Sequence, residues 1–308
     1  MCATLSGCIA VPMPRNATLK TGDGPLVQAH RGSRGEYDDN ALGGFKMCLE
    51  RGIRGFETDI RFTKDKRLVI MHDNRVNRTT DGKGIVEEMT LTELRKCRLQ
   101  ACSEPVPTLE EVLSVMAGRD DVFVELEMKA YPGGFYTPEV LDEYCRALNA
   151  AARKLMKPGT YAFTCFNTNT LATMRRADPS APIGYIVGTG LTEEHIATAK
   201  SLGCCGIAPR LSKTTKEMVA RAHEEGLTIC LWMCQDAAAW REAREKGADR
   251  VTSDYPVLLT CAIEGRAKKV VAMDLDATRR RSPSCRQWCH KRCGRTASKR
   301  VSCIDHSP

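Results

Sequence analysis

Short apolar runs alternate with longer amphipathic segments through most of the chain. The apolar runs have the length of strands, whereas the segments between them repeat apolar residues at helical spacing. Strands are predicted near residues 27, 57, 124, 162, 185, 207, 229 and 251. Helices are predicted at 40–51, 138–155, 168–177, 193–202, 213–225, 237–245 and 256–263, with further helix starts at Thr90 and Thr108. Strands that alternate with helices in this way are typical of a parallel sheet.

The number of strand–helix units distinguishes between two parallel-sheet architectures. Eight units within about 240 residues favour a closed (β/α)8 TIM barrel over an open, doubly wound sheet. No G-x-G-x-x-G motif follows the first strand and no Walker motif occurs, which argues against a nucleotide-binding domain. We therefore predict an N-terminal extension at 1–24, a barrel at 25–263 and a tail at 264–308.

The net charge of +8 is unevenly distributed along the chain. Residues 266–308 contain 12 Lys and Arg against 3 Asp and Glu, whereas residues 1–265 contain 34 against 35. The barrel is therefore close to neutral, and no nucleic acid is predicted to be required as a partner. The tail is basic and poor in large apolar residues, and its cysteines lack the C-x2-C spacing of common zinc sites. We expect it to be disordered, with weak binding to nucleic acid or anionic lipid as an open alternative.

Cysteine usage and the N-terminus bear on the cellular compartment. The 16 cysteines mostly occur singly inside predicted elements, which indicates reduced, buried thiols and a cytoplasmic protein. Leu5-Ser6-Gly7-Cys8 is similar to a bacterial lipobox, but too few residues precede it for a signal peptide. A cell-envelope lipoprotein anchored at Cys8 is the alternative if the true start lies upstream. No stretch approaches the roughly 20 apolar residues of a membrane span, so no transmembrane segment is predicted.

Two acidic residues interrupt the second predicted strand. Glu57 and Asp59 are two positions apart, so their side chains point to the same face. Two buried carboxylates repel each other and are costly to desolvate unless a cation or a proton lies between them. The next apolar run ends at His72, and two acids followed by a histidine at strand ends are typical of a hard-metal catalytic site.

The strand predicted at 122–129 alternates strictly between apolar and charged residues. Glu125, Glu127 and Lys129 therefore share one face, which either contacts solvent or lines a site. Barrel enzymes place their chemistry at the C-terminal ends of the strands, so Glu127 and Lys129 are candidates for it. We expect Glu125 to support the site rather than to bind a metal.

Many short motifs follow one another in an order that resembles a known family. They are His30-Arg31-Gly32, Asp39-Asn40-Ala41, Gly55-Phe56-Glu57-Thr58-Asp59, Thr63-Lys64-Asp65, His72-Asp73, Arg78-Thr79-Thr80, Gly84, Thr90-Leu91-Thr92-Glu93-Leu94, Pro107-Thr108-Leu109, Glu127-Met128-Lys129, Gly226-Leu227, Trp232 and Thr252-Ser253-Asp254-Tyr255-Pro256. Over about residues 26–260 the chain resembles the glycerophosphodiester phosphodiesterases. Any one motif would be weak evidence, but their fixed order is specific.

The resemblance implies a metal and an acid–base pair. Family members are TIM barrels that bind one divalent cation, Mg²⁺ or Ca²⁺, through carboxylates that match Glu57, Asp59 and Glu127. Such ions prefer oxygen ligands. The histidines that match His30 and His72 serve the family as acid and base, because a phosphodiester breaks when one oxygen is deprotonated and another is protonated. In the family the glycerol hydroxyl can attack first, giving a cyclic phosphate that water then opens.

The resemblance also assigns residues that contact the substrate. Arg31 and Lys129 would neutralise the phosphoryl oxygens, and Trp232 would line the pocket for the glycerol or the head group. One departure concerns the loop after His30, where the family usually has Pro-Glu-Asn and this chain has Asp38-Asp39-Asn40. Asp39 keeps the carboxylate on a shorter side chain, which puts the local geometry in question more than catalysis.

The predicted function follows from this set of residues. We expect a phosphoric diester hydrolase that converts a small-molecule glycerophosphodiester into glycerol 3-phosphate and an alcohol. A lysophospholipase D or sphingomyelinase D-like activity on lipids is the first alternative, disfavoured because no apolar insertion for lipid docking is obvious. A catalytically silent binding barrel is the second, disfavoured because the site residues are complete. The sequence indicates neither the head group nor the oligomeric state.

Overall fold

Eight parallel strands form a closed barrel. The computed structural model of the protein describes residues 14–265. Within them, the barrel strands are β2 (Gly24–Ala29), β3 (Gly55–Phe62), β5 (Phe123–Met128), β6 (Tyr161–Cys165), β7 (Ile183–Ile186), β8 (Gly206–Ala208), β9 (Thr228–Trp232) and β10 (Arg250–Ser253). Each strand pairs with the next in parallel, and β10 closes the ring against β2. The prediction of a TIM barrel is confirmed.

Helices follow the strands and cover the outside of the barrel. They are α1 (Leu42–Glu50), α2 (Leu91–Leu94), α3 (Leu109–Met116), α4 (Pro138–Leu155), α5 (Thr168–Ala177), α6 (Glu193–Ser201), α7 (Lys216–Glu224), α8 (Ala237–Lys246) and α9 (Pro256–Ile263). The predicted helix starts at Thr90 and Thr108 are both capping boxes, in which the threonine hydroxyl accepts from the third helical N–H. The predicted helices occur with ends that differ by at most a few residues.

Two short strands lie outside the ring. Strand β1 (Lys20–Thr21) runs antiparallel to β2, and β4 (Leu68–Ile70) runs antiparallel to β3. His72 therefore follows a hairpin strand and not a barrel strand. Because β4 runs back along β3, the Met71 N–H reaches the carbonyl of Asp59 at 2.9 Å. The reversal thus brings His72 to the level of the acidic residues.

Two hydrophobic clusters account for most of the interior. The larger cluster joins the outer faces of the strands to the helices and includes Phe56, Ile60 and Tyr144. A smaller one lies within residues 63–108, which connect β3 to β5, and we call this segment the β3–β5 connection. Its core comprises Val69, Met71, Val76, Val86, Leu94, Cys97 and Val106.

A buried ion pair lies inside the barrel, towards its N-terminal end. Arg250 Nε lies 3.1 Å from Glu125 Oε1, and both side chains are almost fully buried. The Arg250 guanidinium also donates to the carbonyl of Ala17 and to the Thr228 hydroxyl. Glu125 therefore serves to pair Arg250 and does not belong to the group of carboxylates described below.

Some predictions concern residues beyond 14–265. The lipobox-like segment and the cysteines of the tail lie outside the described residues, as does the expected disorder after 265. Ten cysteines lie among the described residues, and nine of them are buried, as the sequence predicts. Between residues 14 and 265, no helix combines the length and apolarity needed to span a bilayer.

Candidate active site

Three carboxylates meet at the C-terminal end of neighbouring strands. Glu57 and Asp59 lie on β3 and Glu127 on β5, and one oxygen from each lies within 4.8 Å of the others. The alternation of both strands explains the grouping, because β3 and β5 pair with Asp59 beside Glu127 in register. All three residues are buried. The structure thus brings together the three predicted metal ligands.

Cationic and amide groups surround these carboxylates. The Lys129 ammonium forms ion pairs with Glu127 and, at 3.2 Å, with Asp59. Arg31 Nε lies 3.5 Å from Asp59 Oδ2, and Asn40 Nδ2 donates to the same oxygen at 2.8 Å. Both predicted phosphate-binding cations are therefore directed at the acidic cluster.

The protonation of the carboxylates differs from one to the next. Burial and repulsion by Asp59 raise the pKa of Glu57 well above its usual value. Burial also raises the pKa of Glu127 to about 7, although Lys129 opposes the rise. Burial disfavours the charge of Asp59 too, but Lys129 and Arg31 outweigh it and hold the pKa below its usual value.

The cluster fits a hard divalent cation. Glu57 Oε1 is buried without a hydrogen-bond partner among the described residues, and Asp59 Oδ1 is buried with only the Lys129 ammonium beside it, at 3.2 Å. Buried polar atoms are nearly always hydrogen-bonded, so buried carboxylate oxygens that converge with few donors around them indicate a site for a cation. An all-carboxylate donor set suits Mg²⁺ or Ca²⁺. Glu57, Asp59 and Glu127 are the residues that could hold it.

His30 is oriented by an aspartate from the far end of the chain. It follows β2, and its Nδ1 lies 2.5 Å from Asp254 Oδ1, just after β10. A carboxylate only accepts, so Nδ1 carries the proton and Nε2 points the other way, 3.9 Å from Glu57 Oε2. Burial lowers the pKa of His30, although the bond to Asp254 opposes the shift.

His72 has a similar partner supplied by its own neighbour. Its Nδ1 lies 2.6 Å from Asp73 Oδ1, and Arg78 binds the other oxygen of Asp73. Arg61 on β3 donates twice to the His72 carbonyl, at 2.9 and 3.1 Å, which fixes the backbone. Burial lowers the pKa of His72 to about 4, against the opposing charge of Asp59.

The loop after His30 is shaped around the acidic cluster. Arg31 adopts a left-handed conformation, with φ of 53°, and its N–H donates to Glu57 Oε2 at 3.0 Å. At Gly32, also left-handed, a Cβ atom would lie 2.9 Å from the ring of Phe45. Asp39 accepts from the Arg31 guanidinium at 3.1 Å, so the shorter carboxylate still holds that side chain.

Aromatic residues line one side of the site. Trp232, at the end of β9, donates from its indole N–H to the carbonyl of Ala208 at 2.8 Å and remains partly exposed. The ring of Phe166 meets it edge to face at 6.1 Å, and the Lys129 ammonium lies 5.9 Å from the Phe166 centroid. This chain of contacts connects Trp232 to the acidic cluster, as expected for a residue that lines the pocket.

Several residues of the site were not singled out from the sequence. Asp254 and Asp73 appear in the motifs, but nothing in the sequence identifies which carboxylate binds which imidazole. Asp254 is 224 positions from His30, so no local pattern connects them. Asn40 donates to Asp59, Arg61 donates to the His72 carbonyl, and Glu87 pairs with Arg61. Of these three residues, only Asn40 lies in one of the family motifs, so the sequence carried no signal for the other two.

A family model matches most of the barrel. The Glycerophosphoryl diester phosphodiesterase family model aligns with residues 30–258. The chain belongs to this family. The match begins at the first histidine of the site and ends within α9, so it spans all the predicted site residues. The prediction of an enzyme of the phosphoric diester hydrolase class is confirmed by this membership.

Individual members of the family are similar over nearly their whole length. A glycerophosphodiester phosphodiesterase of Caldanaerobacter subterraneus subsp. tengcongensis is 29% identical over 245 residues, covering 76% of this chain and 96% of that protein. The structure resembles that of an Oleispira antarctica phosphodiesterase in complex with sn-glycerol-3-phosphate, with a TM-score of 0.70 and 26% identity over 78% of this chain and 97% of the other. The fold also matches the crystal structure of a protein from Silicibacter pomeroyi, with a TM-score of 0.71 and 24% identity over 85% of this chain and 98% of the other.

Proposed function

We propose that this protein hydrolyses glycerophosphodiesters to glycerol 3-phosphate and an alcohol, with one divalent cation and two histidines. The observation that carries the proposal is the pairing of a buried three-carboxylate cluster with two oriented imidazoles at one end of the barrel. Two relatives support the substrate class: one carries the name glycerophosphodiester phosphodiesterase, and the solved structure of another holds sn-glycerol-3-phosphate, described as a product.

The cation would be held by Glu57, Asp59 and Glu127. When bound, it supplies positive charge that polarises the phosphoryl group and stabilises the negative charge that develops during the reaction. A bound cation would favour the ionised forms of Glu57 and Glu127, whose pKa values are raised by burial. Lys129 and Arg31 then remain as cations that attract and orient the phosphate anion.

The two histidines move the protons. A neutral imidazole with its proton on Nδ1 accepts a proton at Nε2, so one histidine deprotonates the glycerol hydroxyl next to the phosphate. The hydroxyl oxygen bonds to phosphorus, the bond from phosphorus to the alcohol breaks, and the alcohol oxygen takes a proton from Nε2 of the other histidine, which enters the step as imidazolium beside the bound phosphate anion. Water then opens the cyclic phosphate with the two roles exchanged. Asp254 and Asp73 stabilise the imidazolium formed on His30 or His72.

A substrate and metal panel tests this proposal. The purified protein is stripped with chelator and then assayed on glycerophosphocholine and glycerophosphoethanolamine with Mg²⁺, Ca²⁺ or chelator. We expect turnover only with metal. Glu57→Gln should lower metal affinity, read directly by calorimetry, and activity together, because it removes one ligand charge. Replacing His30 or His72 by Ala should reduce kcat by about 100-fold or more without loss of metal binding. No turnover with either ion would refute the proposal.

A second candidate function, a lysophospholipase D-like activity, is favoured by one observation. Four large apolar side chains are exposed among residues 14–265, namely Tyr131, Phe166, Tyr255 and Leu258. The first three follow β5, β6 and β10, and the fourth lies in the first turn of α9, so all four surround the mouth of the site. Exposed apolar groups collected on one face mark a surface that contacts a membrane or another protein, and a lipid substrate would be presented by a membrane.

Hydrolysis of soluble glycerophosphodiesters and hydrolysis of lysophospholipids can be distinguished, because the first substrate is dissolved and the second is held in a membrane. Leu258→Ser should lower activity on lysophosphatidylcholine presented in vesicles and leave activity on soluble glycerophosphocholine unchanged, because Leu258 lies outside the polar site. Vesicle co-sedimentation of the same variant provides the binding readout. Equal activity of both proteins on vesicles would eliminate lipid docking through this face.

A further inference from the structure

One guanidinium at the mouth of the barrel, that of Arg210, has no negative partner among residues 14–265. Arg210 follows β8 by two residues, in extended conformation, and forms a bridge alongside Trp232. Side chains alternate in extended chain, so Arg210 shares the face of Ala208, which packs with Trp232 in a small cluster. Arg210 therefore lies next to that cluster, on the side nearer the C-terminal end of the barrel.

The position of Arg210 is opposite the acidic cluster. Around the ring, β8 is four strands away from β3 in either direction. Glu57 and Asp59 therefore lie on one side of the mouth and Arg210 on the other. A phosphodiester bound at the carboxylate side has one of its two organic groups free to extend across the mouth towards Arg210.

Two contacts, with an aromatic ring and with a backbone carbonyl, hold the Arg210 guanidinium in place, and neither partner carries a negative charge. Its central carbon lies 4.2 Å from the centroid of the Trp232 ring, and its Nε donates to the carbonyl of Gly188 at 2.7 Å. No ion pair of Arg210 occurs with any residue between 14 and 265, and no hydrogen bond from its two Nη atoms is found there. In contrast, Arg31, Arg34 and Lys129 at the same mouth all pair with carboxylates.

Trp232 and Phe166, the two aromatic rings near Arg210, each have a cation beside the ring. The guanidinium lies over Trp232, and the Lys129 ammonium lies near the face of Phe166 at 5.9 Å. A quaternary ammonium such as choline is recognised by uncovered aromatic faces. At Trp232 that face is occupied by the Arg210 guanidinium, so this part of the mouth disfavours such a head group.

We propose that Arg210, held against Trp232, binds an anionic group on the alcohol portion of the substrate, so that the protein prefers glycerophosphodiesters with acidic head groups. A planar guanidinium with two parallel donors matches a carboxylate or a second phosphate. The glycerol portion of the substrate is neutral and needs no cationic partner. We therefore expect Arg210 to contact the alcohol portion, which carries the head group. This inference rests on the function proposed above and adds the class of head group to it.

Glycerophosphoserine and glycerophosphoethanolamine provide a matched pair, because they differ by a single carboxylate. The kcat/KM ratio of the two is measured for the wild type, Arg210→Gln, Arg210→Lys and, as a control of equal charge change, Lys213→Gln, an exposed residue three positions further on. We expect Arg210→Gln to lower kcat/KM for glycerophosphoserine by about 10- to 100-fold, mainly through KM. Glycerophosphoethanolamine should change by about twofold or less, and Arg210→Lys should recover part of the loss.

Two outcomes would overturn the inference. If Arg210→Gln lowers kcat/KM equally for both substrates, Arg210 merely supports Trp232. If Lys213→Gln has the same effect as Arg210→Gln, the preference is a general effect of charge. A complete lack of turnover by the wild type is a different result, since it refutes the proposed hydrolysis. In that case, calorimetry of glycerophosphoserine binding to proteins with and without Arg210 still tests the contact, because binding needs no turnover.

Discussion

His30 and His72 obtain their orientation in different ways. Each directs Nδ1 to an aspartate, but Asp73 is the neighbour of His72, whereas Asp254 directly follows the last barrel strand. Asp254 also accepts from Gln235 Nε2 at 2.8 Å, which fixes its second oxygen. The closure of the barrel between β10 and β2 is therefore what delivers the carboxylate to His30.

Asp254→Asn should damage catalysis more than substrate binding. Asn keeps the shape but loses the charge that stabilises the imidazolium, and it allows the wrong tautomer of His30. We expect kcat to fall by about 100-fold or more with KM changed by about twofold or less. Asp249→Asn is the matched control, because Asp249 binds His223 on the surface at 2.9 Å. Equal loss in the two variants, or a loss confined to KM, would contradict a positioning role for Asp254.

The elements themselves follow from local signals. The β strands were predictable because their buried sequences are short, apolar runs, and the carboxylates of β3 and β5 were predictable because strands alternate. The antiparallel course of β4 was not predictable, since three apolar residues carry no information about the direction of pairing. Contacts such as Arg250 with Glu125, or Arg210 with Trp232, depend on how strands far apart in sequence are arranged around the ring. The sequence supplies the residue types but not these partners.

A hydrogen bond between His223 on α7 and Asp249 in the turn before β10 makes a contribution to stability that depends on pH. The hydrogen bond from His223 to Asp249 raises the pKa of His223 above its usual value. The stabilisation is therefore complete below about pH 6.5 and is lost as the pH rises through the folded-state pKa. His223→Gln should lower Tm at about pH 6 and have little effect at about pH 9, as measured by thermal unfolding. An equal change in Tm at both values would contradict this assignment.

At the scale of the whole molecule, the interior of the barrel separates two kinds of buried charge. Glu125 and Arg250 neutralise each other at the N-terminal end, and Arg250 satisfies further acceptors there. The three carboxylates at the mouth are less completely compensated, since they are paired with two cations, Lys129 and Arg31, and Glu57 Oε1 has no hydrogen-bond partner among residues 14–265. This incompletely compensated charge lies where a cation could bind.

Glu125→Gln should destabilise the whole fold. The substitution leaves the Arg250 guanidinium buried without a counter-charge, which typically costs about 3 kcal/mol or more. Urea denaturation at neutral pH measures the free energy of unfolding. Glu143→Gln, which breaks the exposed pair with Lys66, is the control and should have little effect. A similar small change in both variants would show that the buried pair contributes little.

The β3–β5 connection carries one histidine of the proposed acid–base pair on a segment with a small core of its own. His72, Asp73 and Arg78 all belong to this segment, and Leu68 and Ile70 join it to the larger cluster of the barrel. Cooperative units of this kind can open in native proteins at a lower free energy than the whole. We therefore expect amide exchange to be faster in this segment than in the barrel strands. On heating, the enzyme would lose its activity before its helices melt, and it would regain that activity on cooling without refolding the barrel.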